Sequence, residues 1–148
     1  MSRVYNLDTV DISNTAKTVL LLDDDVRFTE LLRTFLALQG FRVTCVGSGA
    51  DGLRRIMSAD FDIILCDLVM PTLPGDMFYL AVERIKPRLC KRFIFISGHG
   101  ANPKWDLFIR RVRGMVLWKP FSMLDLMAAI NSVLEKNSLV PRVLAGAA

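Results

Sequence analysis

Four apolar residues, Ile63-Ile64-Leu65-Cys66, run without interruption into a single carboxylate, Asp67, and Pro71 and Gly75 follow within a few residues. A short run, half of it β-branched and with turn residues directly behind it, predicts a strand that crosses a core and stops at its edge. Continuous rather than alternating apolarity belongs to strands of a parallel sheet covered on both faces. Such sheets bind ligands in the crevice outside the carboxyl ends of their strands. Asp67 is therefore expected on the rim of a sheet, where chemistry is done.

The rest of the chain repeats the same unit. Thr18-Val19-Leu20-Leu21-Leu22 predicts a first buried strand ending on Asp23-Asp24-Asp25. Phe28, Leu31, Leu32, Phe35 and Leu36 then recur at helical spacing, and Gly40 ends that helix. Phe41 to Val46 predicts a second strand. Ser48, with Asp51 three residues on, caps a helix whose apolar face is Leu53, Ile56 and Met57. After the third strand a helix runs from about Asp76 to Lys86 and stops before Pro87. Phe93 to Ile96 predicts a fourth strand ending on Ser97-Gly98. Asn102-Pro103 opens a helix carrying Trp105, Phe108, Ile109 and Val112, and Gly114 ends it. Met115 to Trp118 is a short fifth strand followed by Lys119-Pro120. Ser122, with Asp125, opens a last helix with Met123, Leu126, Met127, Ile130 and Val133 or Leu134 on its inner stripe. Helix-length connections between strands require parallel pairing with right-handed crossovers. The class is α/β: one doubly wound, five-stranded parallel sheet with five helices, over residues 17–136, with a lead-in over 1–16 and a C-terminal tail over 137–148.

Composition narrows the function classes. Of 148 residues, 52% are hydrophobic, enough to fill one core. The net charge of +4 comes from scattered Lys and Arg, which reads as a mixed solvated surface rather than a nucleic-acid site. Cys45, Cys66 and Cys90 are widely spaced, no Cys-x-x-Cys occurs and there is one histidine, so zinc is not expected. Free thiols suit the cytoplasm. There is no signal peptide pattern and no uncharged apolar stretch of about 18 residues, so no membrane span is expected.

The residues that follow the strands carry the chemistry: Asp23, Asp24 and Asp25, then Asp67, Ser97 and Lys119. In a parallel sheet all of them reach one edge. Carboxylates gathered there need a cation to stay ionised, and oxygen donors without His or Cys suit Mg²⁺ or Mn²⁺. Cation, hydroxyl and ammonium together stabilise a phosphoryl group, and a carboxylate beside the cation can attack phosphorus. Singly, each has a plainer use: Asp25 as a helix cap, Ser97-Gly98 as a turn, Lys119 as a solvated side chain. It is their coincidence at the ends of one sheet that points to a site.

Leu21-Leu22-Asp23-Asp24-Asp25, Asp67-Leu68-Val69-Met70-Pro71 with Gly75, Ile96-Ser97-Gly98 and Leu117-Trp118-Lys119-Pro120-Phe121 resemble the signature of bacterial two-component response-regulator receiver domains, in the single-domain, chemotaxis-regulator-like form. The resemblance runs from about Thr18 to Glu135. It implies a flavodoxin-like strand order 2-1-3-4-5. It further implies that Asp67 accepts phosphate from a histidine kinase or histidine phosphotransfer protein. Asp24 would bind Mg²⁺ directly, Asp23 partly through water and Val69 through its backbone carbonyl, with Asp67 completing the set. Ser97 and Lys119 would hold the phosphoryl oxygens, and the Lys119-Pro120 bond would be cis. On this reading the chain is not an enzyme beyond catalysing its own phosphorylation and dephosphorylation. Two positions depart from the pattern: Val116 stands where relatives carry Tyr or Phe, and Pro74 where they carry an acid.

Two other readings compete. A Mg²⁺-dependent phosphohydrolase with an aspartate nucleophile would want a cap domain, for which there is no insert. A degenerate receiver acting only as a binding module is opposed by the retention of Asp23, Asp24, Asp67, Ser97 and Lys119. A receiver with no DNA-binding domain must signal through a face. Trp105, Phe108, Val116 and Trp118, with the last helix, are the expected contact for a downstream protein or a homodimer. Val69 and His99 are expected to flank the path of the water that hydrolyses the phosphoryl group. Valine cannot orient water, so slow self-dephosphorylation is expected.

Overall fold

Five strands, β1 (Thr18–Leu22), β2 (Arg42–Val46), β3 (Ile63–Asp67), β4 (Phe93–Ser97) and β5 (Met115–Trp118), form one sheet in the order β2-β1-β3-β4-β5, every neighbouring pair parallel. Between and after them run α1 (Val26–Leu38), α2 (Gly49–Ser58), α3 (Gly75–Ile85), α4 (Pro103–Val112) and α5 (Met123–Gly146), with a 3₁₀ turn over Pro87–Arg92. This is a computed structural model, and it describes residues 16–98 and 102–146. The lead-in up to residue 15 and His99 lie outside the described residues.

The doubly wound, flavodoxin-like fold follows from the apolar runs. β3 lies at the centre, with Leu65 opposite Leu21 on one side and Ile94 on the other. All five residues of β3 and of β4 are buried. One face of the sheet, with Leu20, Ile64, Cys66 and Phe95, packs on Ile56, Phe78, Val82 and Trp105 from α2, α3 and α4. The other, with Val19, Leu21, Leu65 and Ile94, packs on Leu32 and Leu36 of α1 and Leu126 and Ile130 of α5. Burial at this scale dominates stability; truncating a fully buried ring such as Phe78 costs about 3–5 kcal/mol.

The predicted caps are in place. The Asp25 side chain accepts from the Phe28 N–H (3.2 Å), Ser48 Oγ from the Asp51 N–H (3.2 Å) and Asn102 Oδ1 from the Lys104 N–H (3.0 Å). Ser122 and Asp125 form a reciprocal box at 3.0 and 3.3 Å. Lys119-Pro120 is cis.

Four expectations are corrected. Leu31 and Met57 are exposed rather than inward, because each lies one position off the centre of its stripe. On α2 the inner positions beside Ile56 go to Gly49 and Gly52, where a Cβ at Gly52 would sit 2.9 Å from the Phe78 ring. Trp105 is buried against the sheet, not presented on a surface. The left-handed residue that ends α4 is Arg113 (φ 53°), not Gly114. Gly114 is small because a Cβ there would meet the Phe95 ring at 2.9 Å.

Candidate functional site

Asp23 follows β1, Asp67 and Ser97 are the last residues of β3 and β4, and Lys119 follows β5. Because the strands are parallel and adjacent, these residues meet at one edge. One carboxylate oxygen each from Asp23, Asp24 and Asp67 lies within 4.8 Å of the other two. Lys119 Nζ stands 3.0 Å from Asp23 Oδ2 and 3.5 Å from Asp67 Oδ2. Backbone donors hold the remaining oxygens: the Asp25 N–H donates to Asp23 Oδ1 and the Val69 N–H to Asp67 Oδ1, both at 2.9 Å. Asp23 and Asp67 are buried while Asp24 is exposed. Asp25 is the helix cap. Ser97 is fully buried, and its carbonyl accepts the Lys119 N–H at 2.7 Å.

Two further residues shape the site. The Lys119 ammonium lies 4.2 Å from the centre of the Phe28 ring, which is edge-on to Phe121 at 6.0 Å. Phe28 belongs to the apolar stripe of α1, and only its place in the first turn after Asp25 signals that it reaches the site. Gly75 fixes the β3–α3 loop. Its N–H donates to the Leu68 carbonyl (3.0 Å), and a Cβ there would lie 2.5 Å from the Asp67 carbonyl oxygen and 2.8 Å from Leu68 Cα.

Burial pushes the Asp67 carboxyl up to about 6, and the Asp23 charge adds to it; the Val69 N–H and the Lys119 ammonium pull the other way. For Lys119, burial favours the neutral amine, but the hydrogen bond to Asp23 and the charges of Asp67 and Asp23 outweigh it, so its pKa is raised. Burial raises the Cys66 thiol well above its usual range, and the neighbouring Asp67 charge adds to this, so Cys66 is an inert core residue. Three carboxylates therefore share one ammonium. This is an excess of negative charge on hard oxygen donors, with no nitrogen or sulfur ligand, and it suits a hard divalent cation.

Residues 19–131 match the family model of the response regulator receiver domain. The chain belongs to this family. Two curated relatives are the response regulator receiver protein CpdR of Brucella abortus, 32% identical over 80% of this chain and 97% of that protein, and the transcriptional activator protein PfeR of Pseudomonas aeruginosa, 30% identical over 90% of this chain. The chain spans 43% of the length of PfeR. A CheY-like receiver domain protein of Methanospirillum hungatei has the same fold, with a TM-score of 0.76 at 22% identity over 83% of this chain and 97% of that one. The receiver domain is thus a phospho-accepting signalling module of two-component systems. Nothing favours the phosphohydrolase.

The receiver's expected output face keeps Trp118, which is 39% exposed on the edge strand β5, but loses Trp105 to the core. Phe108 is half-buried and stands edge-on to Phe95 and Tyr79 at 5.3 and 5.5 Å, so it too is mostly core. Val116 packs on the same cluster. Among the described residues no helix is long and apolar enough to cross a membrane.

Proposed function

We propose that Asp67 is the phosphoacceptor of a two-component phosphorelay, taking its phosphoryl group from a histidine kinase or histidine phosphotransfer protein in the cytoplasm. The observation that carries this reading is the convergence of Asp23, Asp24 and Asp67 within 4.8 Å, with Lys119 reaching two of them. An Asp67 oxygen attacks phosphorus; the O–P bond forms as the donor's N–P bond breaks, and the histidine nitrogen leaves with the electron pair and takes up a proton. A divalent cation, Mg²⁺ or in its place Mn²⁺, would be held by Asp23, Asp24, Asp67 and the Val69 carbonyl and would neutralise charge on the phosphoryl oxygens. Lys119, released from its pairing with Asp67, and the Ser97 hydroxyl hold the other phosphoryl oxygens. We take residues 17–136 as the receiver proper, in keeping with the family match over 19–131.

The signal leaves through the α4–β5–α5 face. Trp118, Pro120, Phe121 and Ala128 line a shallow hollow of about 440 Å³ there, which suits a downstream protein or a second copy of this chain.

The test uses acetyl phosphate in Mg²⁺ buffer, read by intact mass. One phosphoryl group per chain is expected, and none after chelation of the metal. Steady release of phosphate from simple esters without a stable adduct would favour a hydrolase instead. When the labelled protein is chased, Val69→Asn should lose label faster than the native chain. Equal decay means that Val69, whose side chain is 43% exposed beside the site, does not limit the access of water.

A further inference from the structure

A cavity of about 490 Å³ opens at the edge of the sheet opposite Asp67, where β4 and β5 begin and α5 passes. Its size is in the range of small-molecule sites. The wall is apolar and largely aromatic, with Tyr79, Phe95 and Met115. The rings of Tyr79 and Phe95 are 5.8 Å apart, within a packed aromatic cluster that also holds Phe93 and Phe108. Three cations, Lys91, Arg113 and Lys136, line the same cavity. Among the described residues none of the three has a carboxylate within 4.0 Å, although ion pairs form close by, as at Lys86 with Asp60. Glu83 is the acid that acts electrostatically on Cys90 and Tyr79 in the wall.

Arg113 adds a second, independent observation. It closes α4 in the left-handed conformation, φ 53°, with its N–H and that of Gly114 directed back to the Ile109 carbonyl. Glycine is the residue that holds such a position without strain. An arginine held there puts a guanidinium beside a cavity lined by two further cations that, among the described residues, have no carboxylate partner.

We propose that this cavity is a binding site for a small organic anion with an apolar body, an aromatic or aliphatic carboxylate or sulfonate. Its body lies on Tyr79, Phe95 and Met115, and its head meets Arg113, Lys91 and Lys136. The site does not depend on the phosphoacceptor reading.

The experiment titrates the full chain with 1-anilinonaphthalene-8-sulfonate under native conditions. Its neutral analogue N-phenyl-1-naphthylamine serves as a control for the apolar wall. One saturable site is expected for the sulfonate, weakened by salt and emptied by decanoate. Arg113→Gly should melt at or above the native temperature, because glycine adopts φ 53° freely, yet bind the sulfonate roughly tenfold more weakly. Lys136→Gln should weaken it in the same direction, and both variants should bind the neutral analogue as the native chain does. Asp67→Asn, at the other edge, should bind the sulfonate normally. Absence of saturable binding, native affinity in both cation variants, or an equal loss in Asp67→Asn would each overturn the proposal.

Discussion

A phosphoacceptor at Asp67, as proposed, has to be buried enough to exclude water from a phosphoryl group and ionised enough to attack phosphorus. The structure holds both demands in tension, and pH shows it. Burial raises the folded-state carboxyl to about 6, above its ordinary value of 3.8. A raised carboxyl means that the folded state binds the proton more tightly than the unfolded chain does. The stability this contributes is fully present below pH 3.8 and is lost as pH rises through about 6. Asp67→Asn removes the ionised form. It should raise the melting temperature at pH 7.5 by roughly 2–8 °C, about 1–2 kcal/mol after the lost Lys119 contact is counted, and the gain should vanish towards pH 4. A constant gain across that range would mean that charge at Asp67 is not what burial opposes. Asp67, its acidic neighbours Asp23 and Asp24 and the lysine were legible in the sequence because each ends or follows a strand. Phe28, the ring under the Lys119 ammonium, was not: an apolar residue on a helical stripe looks the same whether it faces a core or a charge.

The elements were legible for a related reason. Apolar period separates helix from strand, and Ser48, Asn102 and Ser122 mark helix starts that the hydrogen bonds bear out. What periodicity does not carry is the centre of each stripe, which packing decides; hence the exposure of Leu31 and Met57 and the burial of Trp105. Nor does it separate a glycine needed for backbone conformation from one needed for space. Arg113 makes the turn that ends α4, while Gly114 only yields room to Phe95. Gly75 is the same kind of residue at the functional end. Its missing Cβ would strike backbone, the Asp67 carbonyl and Leu68 Cα, which cannot rotate aside. Gly75→Ala should therefore cost about 2–4 kcal/mol and slow phosphate uptake, because any relief moves the end of β3. Gly98→Ala, where the nearest contacts among the described residues are Lys119 carbons at 4.0 Å, is the matched control and should be nearly neutral in stability. Thermal melts with acetyl phosphate labelling of both variants check the contrast. An alanine at residue 75 that melts and labels normally would show that the loop is slack.

At the scale of the whole molecule, a parallel sheet sends five strands to one edge, so residues 96 positions apart in the chain, Asp23 and Lys119, meet at 3.0 Å. The opposite edge, where the chain enters β4 and β5, is free to hold a separate cavity. The flanks of β5 and α5 are free to carry contacts with other proteins. The central claim is that the chemistry belongs to Asp67 and to none of the neighbouring carboxylates, and one measurement addresses it directly. The chain is phosphorylated with acetyl phosphate in Mg²⁺, the acyl phosphate is reduced with borohydride, and the digested peptides are sequenced by mass spectrometry. Reduction to homoserine at residue 67, abolished in Asp67→Asn and by chelation of Mg²⁺, is the predicted result. Homoserine at residue 23, 24 or 25 instead, or label that survives Asp67→Asn at the native level, would contradict the account.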